Sequence, residues 1–298
     1  MQNDGVISTG DHNQIFNKST IGPDATVRGA YGPNPATADR RPGRWQIGVI
    51  TVIPAETRAL HGLLDRAGPP REETHNGRRF REARLVAGDS PVAVVATQAL
   101  GPGQRPAGAA YQHLRARYAP PVIVLVGIAG GIHPDVGLGD VVIGSRIVYY
   151  DSRREDPGET RFRGESHDVP PAVQHSINAF FTRHGEPAIL RTRSGRRGET
   201  FRVLPGPIGS GEAVIRDDDS PARQWLRRYN DKTLATETEG AALAHAFHED
   251  RDADVPPRGW LVIRGVSDHA DVAKNDLHHD AASRNAVQTF HALLPYLT

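Results

Sequence analysis

Four carboxylates stand where apolar runs of the chain give out. Glu56 follows Ile47–Ile53, Glu237 and Glu239 flank Thr238 ahead of a run rich in alanine, and Asp268 follows Ser267 at the end of Trp260–Val266. Ile47–Ile53, Trp260–Val266 and the residues leading into Glu237 read as strands, and the alanine-rich run, with Ala241, Ala242, Leu243 and Ala246, reads as a helix. The carboxyl ends of strands are where open α/β sheets hold ligands. Two readings stay open for these acids. An acid at a helix start can simply complement the helix dipole, whereas beside a ligand loop Glu56 can position a water. Strand residues two apart share a face, so Glu237 and Glu239 can together grip the hydroxyls of a sugar, provided that something offsets their repulsion.

The ligand loop is expected in PVIVLVGIAGGIHPDVGLGDVVI, from Pro121 to Ile143. Val122–Val126 has no polar alternation and suits a central strand covered on both faces. Gly127, Gly130 and Gly131 then predict a turn whose backbone approaches a ligand closely, although a turn serving only chain reversal has the same signature. Ile208–Ile215 reads as a short strand with small residues at its centre. His245 and His248, one helical turn apart beside Glu249, lack a third ligand at fitting spacing and read as structural or surface residues, as do His278 and His279. No metal and no cofactor is expected.

Alternation of strands and helices gives these groups their frame. Pro54 suits the first turn of a helix continuing through Thr57–Leu64. Phe80–Val86 and Pro91–Leu100 form a hairpin through Ala87–Ser90, Gly101–Gly103 opens a helix running to Tyr118, and Val122–Val126 follows. The pattern predicts a three-layer α/β/α fold. Tyr149–Pro171 is polar and aperiodic and reads as a loop, either a lid over the site or a solvated excursion. Val173–His184 and Ala281–Leu294 are helices.

Composition narrows the partners. Lys+Arg of 36 against Asp+Glu of 35 leaves a formal charge of +1, so no global field argues for nucleic acid or membrane. The absence of cysteine excludes disulfides, thiolate metal sites and cysteine nucleophiles. No apolar stretch approaches the roughly 20 residues of a membrane span, and the first residues lack the pattern of a signal peptide, so a cytoplasmic location is expected. Residues 1–44 are broken by glycine and proline and read as a flexible segment ahead of a globular domain over 45–298. Within that segment Val6–Asn17, VISTGDHNQIFN, has short β-prone pieces around a Gly-Asp-His-Asn turn. It resembles the amyloid signalling motifs of bacterial and fungal immune effectors, which implies a receptor partner carrying a matching motif.

IGVITVIPAE at Ile47–Glu56, VGIAGGIHPDVGLGDVVI at Val126–Ile143, SGEAVI at Ser210–Ile215, TETEGAALAHA at Thr236–Ala246 and VIRGVSDHAD at Val262–Asp271 together resemble the nucleoside phosphorylase and nucleosidase superfamily. The likeness is to its methylthioadenosine/adenosylhomocysteine nucleosidase branch, and AKNDLHHDAASRNAV, Ala273–Val287, is similar to the version associated with immune receptors. The resemblance implies a mixed central sheet partly closed into a barrel, and a homo-oligomer. It makes Asp268 the general acid at purine N7, with Ser267 orienting it, Glu239 the holder of the ribose hydroxyls, and Glu56 the holder of the attacking water. Gly127, Ile128, Ala129 and Gly130 would line ribose and base, and Ala213, Val214 and Ile215 would flank the base. The chain departs from the family pattern at Thr238, where methionine is usual, at Val214, where an aromatic is common, and at Ile128, where many members have a small hydroxyl residue.

Release of a free base from a purine nucleoside or nucleotide by hydrolysis is the activity these features favour, in an effector of a defence or signalling system. Arginines within Arg153–Arg163 are expected to contact the phosphates if the substrate is a nucleotide. The alternatives are a phosphorolytic enzyme, which would need phosphate, and a non-catalytic nucleoside-binding module recruited by amyloid templating, which would need neither an acid nor a water-holding carboxylate.

Overall fold

The computed structural model describes residues 45–192, 199–271 and 276–298. Val6–Asn17 lies outside the described residues. Strand β1 (Ile47–Thr51), buried at every position, leads into helix α1 (Pro54–Arg66). Strands β2 (Arg71–His75), β3 (Arg78–Ala87) and β4 (Ser90–Gln98) form an antiparallel meander. Helix α2 (Gln104–Tyr118) returns the chain to β5 (Val122–Gly131). Strand β6 (Val141–Tyr149), the hairpin β7 (Arg153–Asp156) and β8 (Glu159–Phe162), β9 (Glu165–Asp168) and helix α3 (Pro171–His184) follow. The rest comprises β10 (Ala188–Arg191), β11 (Thr200–Ser210), α4 (Pro221–Tyr229), β12 (Ala235–Glu237), α5 (Gly240–Glu249), β13 (Gly259–Asp268) and α6 (His279–Leu297).

The sheet runs β10-β11-β6-β13-β5-β1-β4-β3-β2 and mixes parallel and antiparallel pairs. Short β12 pairs with both β11 and β5, so that β5, β13, β6, β11 and β12 close into a ring. The partly closed barrel is thereby present, and closure removes edges that would otherwise expose unpaired backbone. Helices α1, α3 and α6 pack together on one side, and α2 and α5 form a second group. At Gly265 of β13 an added Cβ would run into the backbone of Ala282, so glycine there lets α6 lie directly on the sheet.

Several expectations change. Gly127–Gly131 is the second half of β5 and not a turn: its backbone pairs with β13 from Gly127 to Gly130 and with β12 at Gly130 and Gly131. The strand expected at Ile208–Ile215 is instead the end of β11, which stops at Ser210, and Ala213–Ile215 belong to the loop beyond it. Tyr149–Pro171 is not an irregular loop. Pro157 and Gly158, the latter at φ +78°, form a two-residue turn between β7 and β8, the ring of Phe162 stacks on Trp225 at 5.7 Å, and β9 pairs with β6. Alternating charge had masked a hairpin whose strands are too polar to show an apolar period. Among the described residues no helix is long and apolar enough to cross a membrane.

Candidate active site

Glu56 is the third residue of α1, and its carboxylate turns back onto the strand it came from. Oε2 accepts the N–H groups of Val52 (2.7 Å) and Ile53 (3.1 Å), and Oε1 accepts the N–H of Ile128 on β5 (2.9 Å). Burial drives its pKa above the ordinary carboxylate range, against the opposing pull of Arg264 and of these backbone donors.

Glu237 ends β12 and Glu239 precedes α5, and both converge on Arg264 of β13. The Arg264 Nη2 donates to Glu237 and, at 2.7 Å, to Glu239, while Nη1 lies 3.9 Å from Glu56. Arg264 is the group that offsets the repulsion between the paired acids. It is fully buried and sits in an otherwise apolar strand, WLVIRGV. That setting was a signal in itself, because a charge buried in a sheet interior must be paired.

A carboxylate offers about four acceptor positions, and counting donors separates the three acids. Glu237 Oε2 accepts from the N–H groups of Glu239 and Gly240 and from Arg264, while its Oε1 accepts only from the same Gly240 N–H (2.9 Å). Glu239 Oε1 accepts from the Gly103 N–H (2.9 Å) and the Thr238 hydroxyl (2.5 Å), but Oε2 receives only Arg264. Glu56 Oε1 has only the Ile128 N–H within bonding distance. Glu239 Oε2, Glu56 Oε1 and Glu237 Oε1 therefore each keep an acceptor position, the one on Glu237 beside a Gly240 N–H shared between its two oxygens.

Gly127 makes room for this cluster. A Cβ on it would collide with Arg264 Nη1 and Glu56 Oε1, so its lack of a side chain serves the charges beneath the cleft, and it does not itself line the cleft.

Asp268 stands at a register shift where β13 leaves β5, with Ser267 the extra residue of the bulge. Its Oδ2 accepts the Ser267 hydroxyl (2.9 Å) and its Oδ1 the N–H of Ala270 (2.9 Å). A Cβ on Gly130 would come within 2.9 Å of Oδ1. Ser267 and Ala270 line the cleft, while the Asp268 carboxylate lies just behind them, 4% exposed.

The cleft between these groups holds about 170 Å³. Glu56, Ile128, Ala129, Gly130, Glu237, Thr238, Glu239 and Ser267 form one part of its wall, and Ala213, Val214 and Ile215 another. Tyr150 holds that second part by donating its hydroxyl to the Ala213 carbonyl at 2.9 Å. Gln104 was not singled out in the sequence. Its side chain ties Ser210 (2.9 Å) and the N–H of Ala242 (2.7 Å) together, and Ser210 Oγ accepts the Ala241 N–H (3.0 Å). The starts of α2 and α5 are thus fixed to the end of β11. Val52, Ile53, Pro102, Thr236 and His279 also line the cleft without having been singled out for it. His248 stacks with His167 at 4.8 Å, and no metal-holding cluster occurs among the described residues.

A mixed α/β sheet, partly closed into a ring, with buried carboxylates gathered at one cleft, defines a small-molecule site of the α/β class. Residues 46–297 match the Phosphorylase superfamily, and the chain belongs to that family. It is 27% identical over 252 residues to the ATP nucleosidase Cap17 of Escherichia coli, covering 79% of this chain and 48% of that protein. It is 29% identical over 242 residues to the 5'-methylthioadenosine/S-adenosylhomocysteine nucleosidase of Mycobacterium tuberculosis, covering 75% of this chain and 86% of that protein. The chain therefore spans about half the length of the ATP nucleosidases it matches and most of the other relatives. Among solved structures, an S-adenosylhomocysteine nucleosidase from Streptococcus pyogenes in complex with 5-methylthiotubericidin superposes with a TM-score of 0.66 at 20% identity, covering 86% of this chain and 98% of that one. The futalosine hydrolase of Helicobacter pylori gives 0.63 at 14% identity, covering 84% and 97%. These two structures share the fold.

Proposed function

We propose that the chain is a purine N-glycosyl hydrolase acting on a nucleoside or nucleotide. The observation that carries this reading is the character of the cleft wall. Glu56 and Glu239 each present a free acceptor position, and no lysine or arginine lines the cleft. A wall of this kind accommodates water and a developing cation and repels phosphate, which supports hydrolysis over phosphorolysis.

In this reading the base lies against Ala213–Ile215 and Ser267, and the ribose hydroxyls take the free position of Glu239. As the C1'–N9 bond breaks, its electron pair passes to the purine, and the protonated carboxyl of Asp268 gives its proton to N7 and is left as the carboxylate that accepts from the Ser267 hydroxyl and the Ala270 N–H. The ribosyl carbon becomes cationic. Glu56, Glu237 and Glu239 against one Arg264 leave an excess of negative charge to stabilise it. Water held by Glu56 adds to C1' and gives its proton to that carboxylate, yielding free purine and a ribose product. Residues 1–44 form a separate segment, and Val6–Asn17 recruits the enzyme to an immune receptor carrying a like motif. The active species is a homo-oligomer.

The test is purine release from adenosine, inosine, methylthioadenosine, adenosylhomocysteine, AMP and ATP, with and without phosphate. Release independent of phosphate is expected. Asp268→Asn should lower kcat by about 10²–10⁴-fold, the range for a lost general acid. A strict need for phosphate, or full activity in that variant, overturns the reading.

A further inference from the structure

A second and larger cavity, about 760 Å³, lies beside the cleft between the start of β3, the end of β4 and the first turns of α2. Arg78, Arg79, Arg105 and His113 line it, and no aspartate or glutamate does. The three arginines are exposed and make no ion pair among the described residues. Burial and the nearby Arg78 hold the His113 pKa below its ordinary value, so at neutral pH it is an uncharged donor or acceptor beside a guanidinium.

Arginines elsewhere near the site differ in this respect. Arg153 pairs with Asp151 and Glu155, Arg154 with Asp156, and Arg161 with Asp156 and Glu159, so the β7–β8 hairpin neutralises itself. Expectation had placed phosphate recognition on that hairpin. Arg163, just past the hairpin, is exposed without an ion pair among the described residues but lines neither the cleft nor the cavity, whereas Arg78, Arg79 and Arg105 line the cavity.

The cavity and the cleft have no lining residue in common, but the chain and one hydrogen bond tie them together. Gln98 and Leu100 line the cavity, Pro102 lines the cleft, and Gly101 stands between them in sequence. Gln98 also donates to the carbonyl of Val52, a cleft residue, at 2.9 Å. Successive residues of α2 are turned by about 100°: Gln104 bonds to Ser210 behind the cleft, and Arg105 lines the cavity. With the base against Ala213–Ile215 and the ribose hydroxyls at Glu239, a substituent that left the cleft on the side of Val52 and Pro102 would meet the arginines. At about 170 Å³ the cleft is small against the roughly 300–1,000 Å³ usual for ligand sites, so a long substituent must extend beyond it.

We propose that the cavity lined by Arg78, Arg79 and Arg105 is the site for the polyphosphate tail of a purine nucleoside di- or triphosphate whose glycosidic bond lies in the adjoining cleft. This rests on the nucleosidase reading of the cleft and gives it a substrate class. Guanidinium groups are suited to the task because their planar donors meet phosphate oxygens two at a time. The division of labour is also electrostatically sound. The carboxylate-rich cleft repels an anion, so a phosphate tail is tolerated only where cations face it at a distance from the acids.

The experiment compares the wild-type chain with a variant carrying Arg78→Ala, Arg79→Ala and Arg105→Ala, and with the matching triple lysine variant. Steady-state kinetics are measured on ATP, ADP, AMP and adenosine. The alanine variant should raise KM for ATP roughly 10- to 100-fold, as expected for the loss of charge-assisted contacts. Its KM for adenosine should stay within about threefold, and the lysine variant should recover part of the ATP affinity because charge is kept while the fork geometry is lost. Inorganic triphosphate should compete with ATP in the wild type, and more weakly in the alanine variant. An equal loss on ATP and adenosine, or no change on either, overturns the proposal. If the wild type releases base from no substrate, the nucleosidase reading fails separately. Calorimetric titration with inorganic triphosphate then decides the cavity: binding to the wild type that weakens in the alanine variant supports a phosphate site, and equal or absent binding removes it.

Discussion

Removing Arg264 would leave Glu56, Glu237 and Glu239, all buried at the cleft wall, facing one another without a cation. Breaking a buried ion cluster from one side typically costs about 3–5 kcal/mol, and Arg264→Gln should fall in that range. The abandoned acids would bind protons more readily, so the variant should recover stability as pH falls, which urea unfolding at pH 5 and pH 8 measures. Glu56 makes a second prediction. Its pKa is raised by burial, so between the unfolded and folded values the native state holds the extra proton, and stability falls as pH rises through that window. Glu56→Gln should abolish this slope and lower kcat by about 10²-fold or more. In the wild type, the acid limb of the kcat profile should lie above the ordinary glutamate range, because the water-holding form is the ionised one. At this scale the sequence was legible where an acid met a strand end. It was not legible for Gly127, whose missing side chain answers to Arg264 and Glu56, groups far from it in the chain.

Elements with an apolar period, or with none because both faces are covered, were readable before any coordinates. β1, β5, β13, α2 and α3 all lie where the apolar runs put them. The charged hairpin β7–β8 was not, because it is held by ion pairs, a Pro-Gly turn and the Phe162–Trp225 stack, whereas the strand end expected at Glu237 is the end of β12. Replacing Arg153, Arg154 and Arg161 together by alanine should therefore change ATP turnover by less than about twofold, since exposed pairs of this kind contribute little. The contact of α6 with β13 is far less forgiving. Gly265→Ala drives a methyl group into the Ala282 backbone and should cost about 1–3 kcal/mol, read as a drop in Tm.

For the molecule as a whole, the order of strands was beyond the sequence. Which of two apolar runs become neighbours depends on helix lengths and on closure by β12, and neither is a local property. Trp45 packs edge-on against Tyr118 at 5.7 Å, and the family match begins one residue later. A chain lacking residues 1–44 should keep the Tm and the base-release rate of the full chain in dilute solution, and should lose recruitment to a clustered receptor motif; light scattering and a product assay separate the two.

Glu56 has one more consequence. Its donors come from two strands, Val52 and Ile53 just beyond β1 and Ile128 within β5, so the carboxylate is aimed only when those strands are in register. Catalysis then becomes a reporter of assembly. During refolding from urea, base release should lag behind the recovery of helical circular dichroism and coincide with protection of the β1 and β5 amides from hydrogen exchange. A chain that has collapsed but not yet aligned these two strands would be compact and silent.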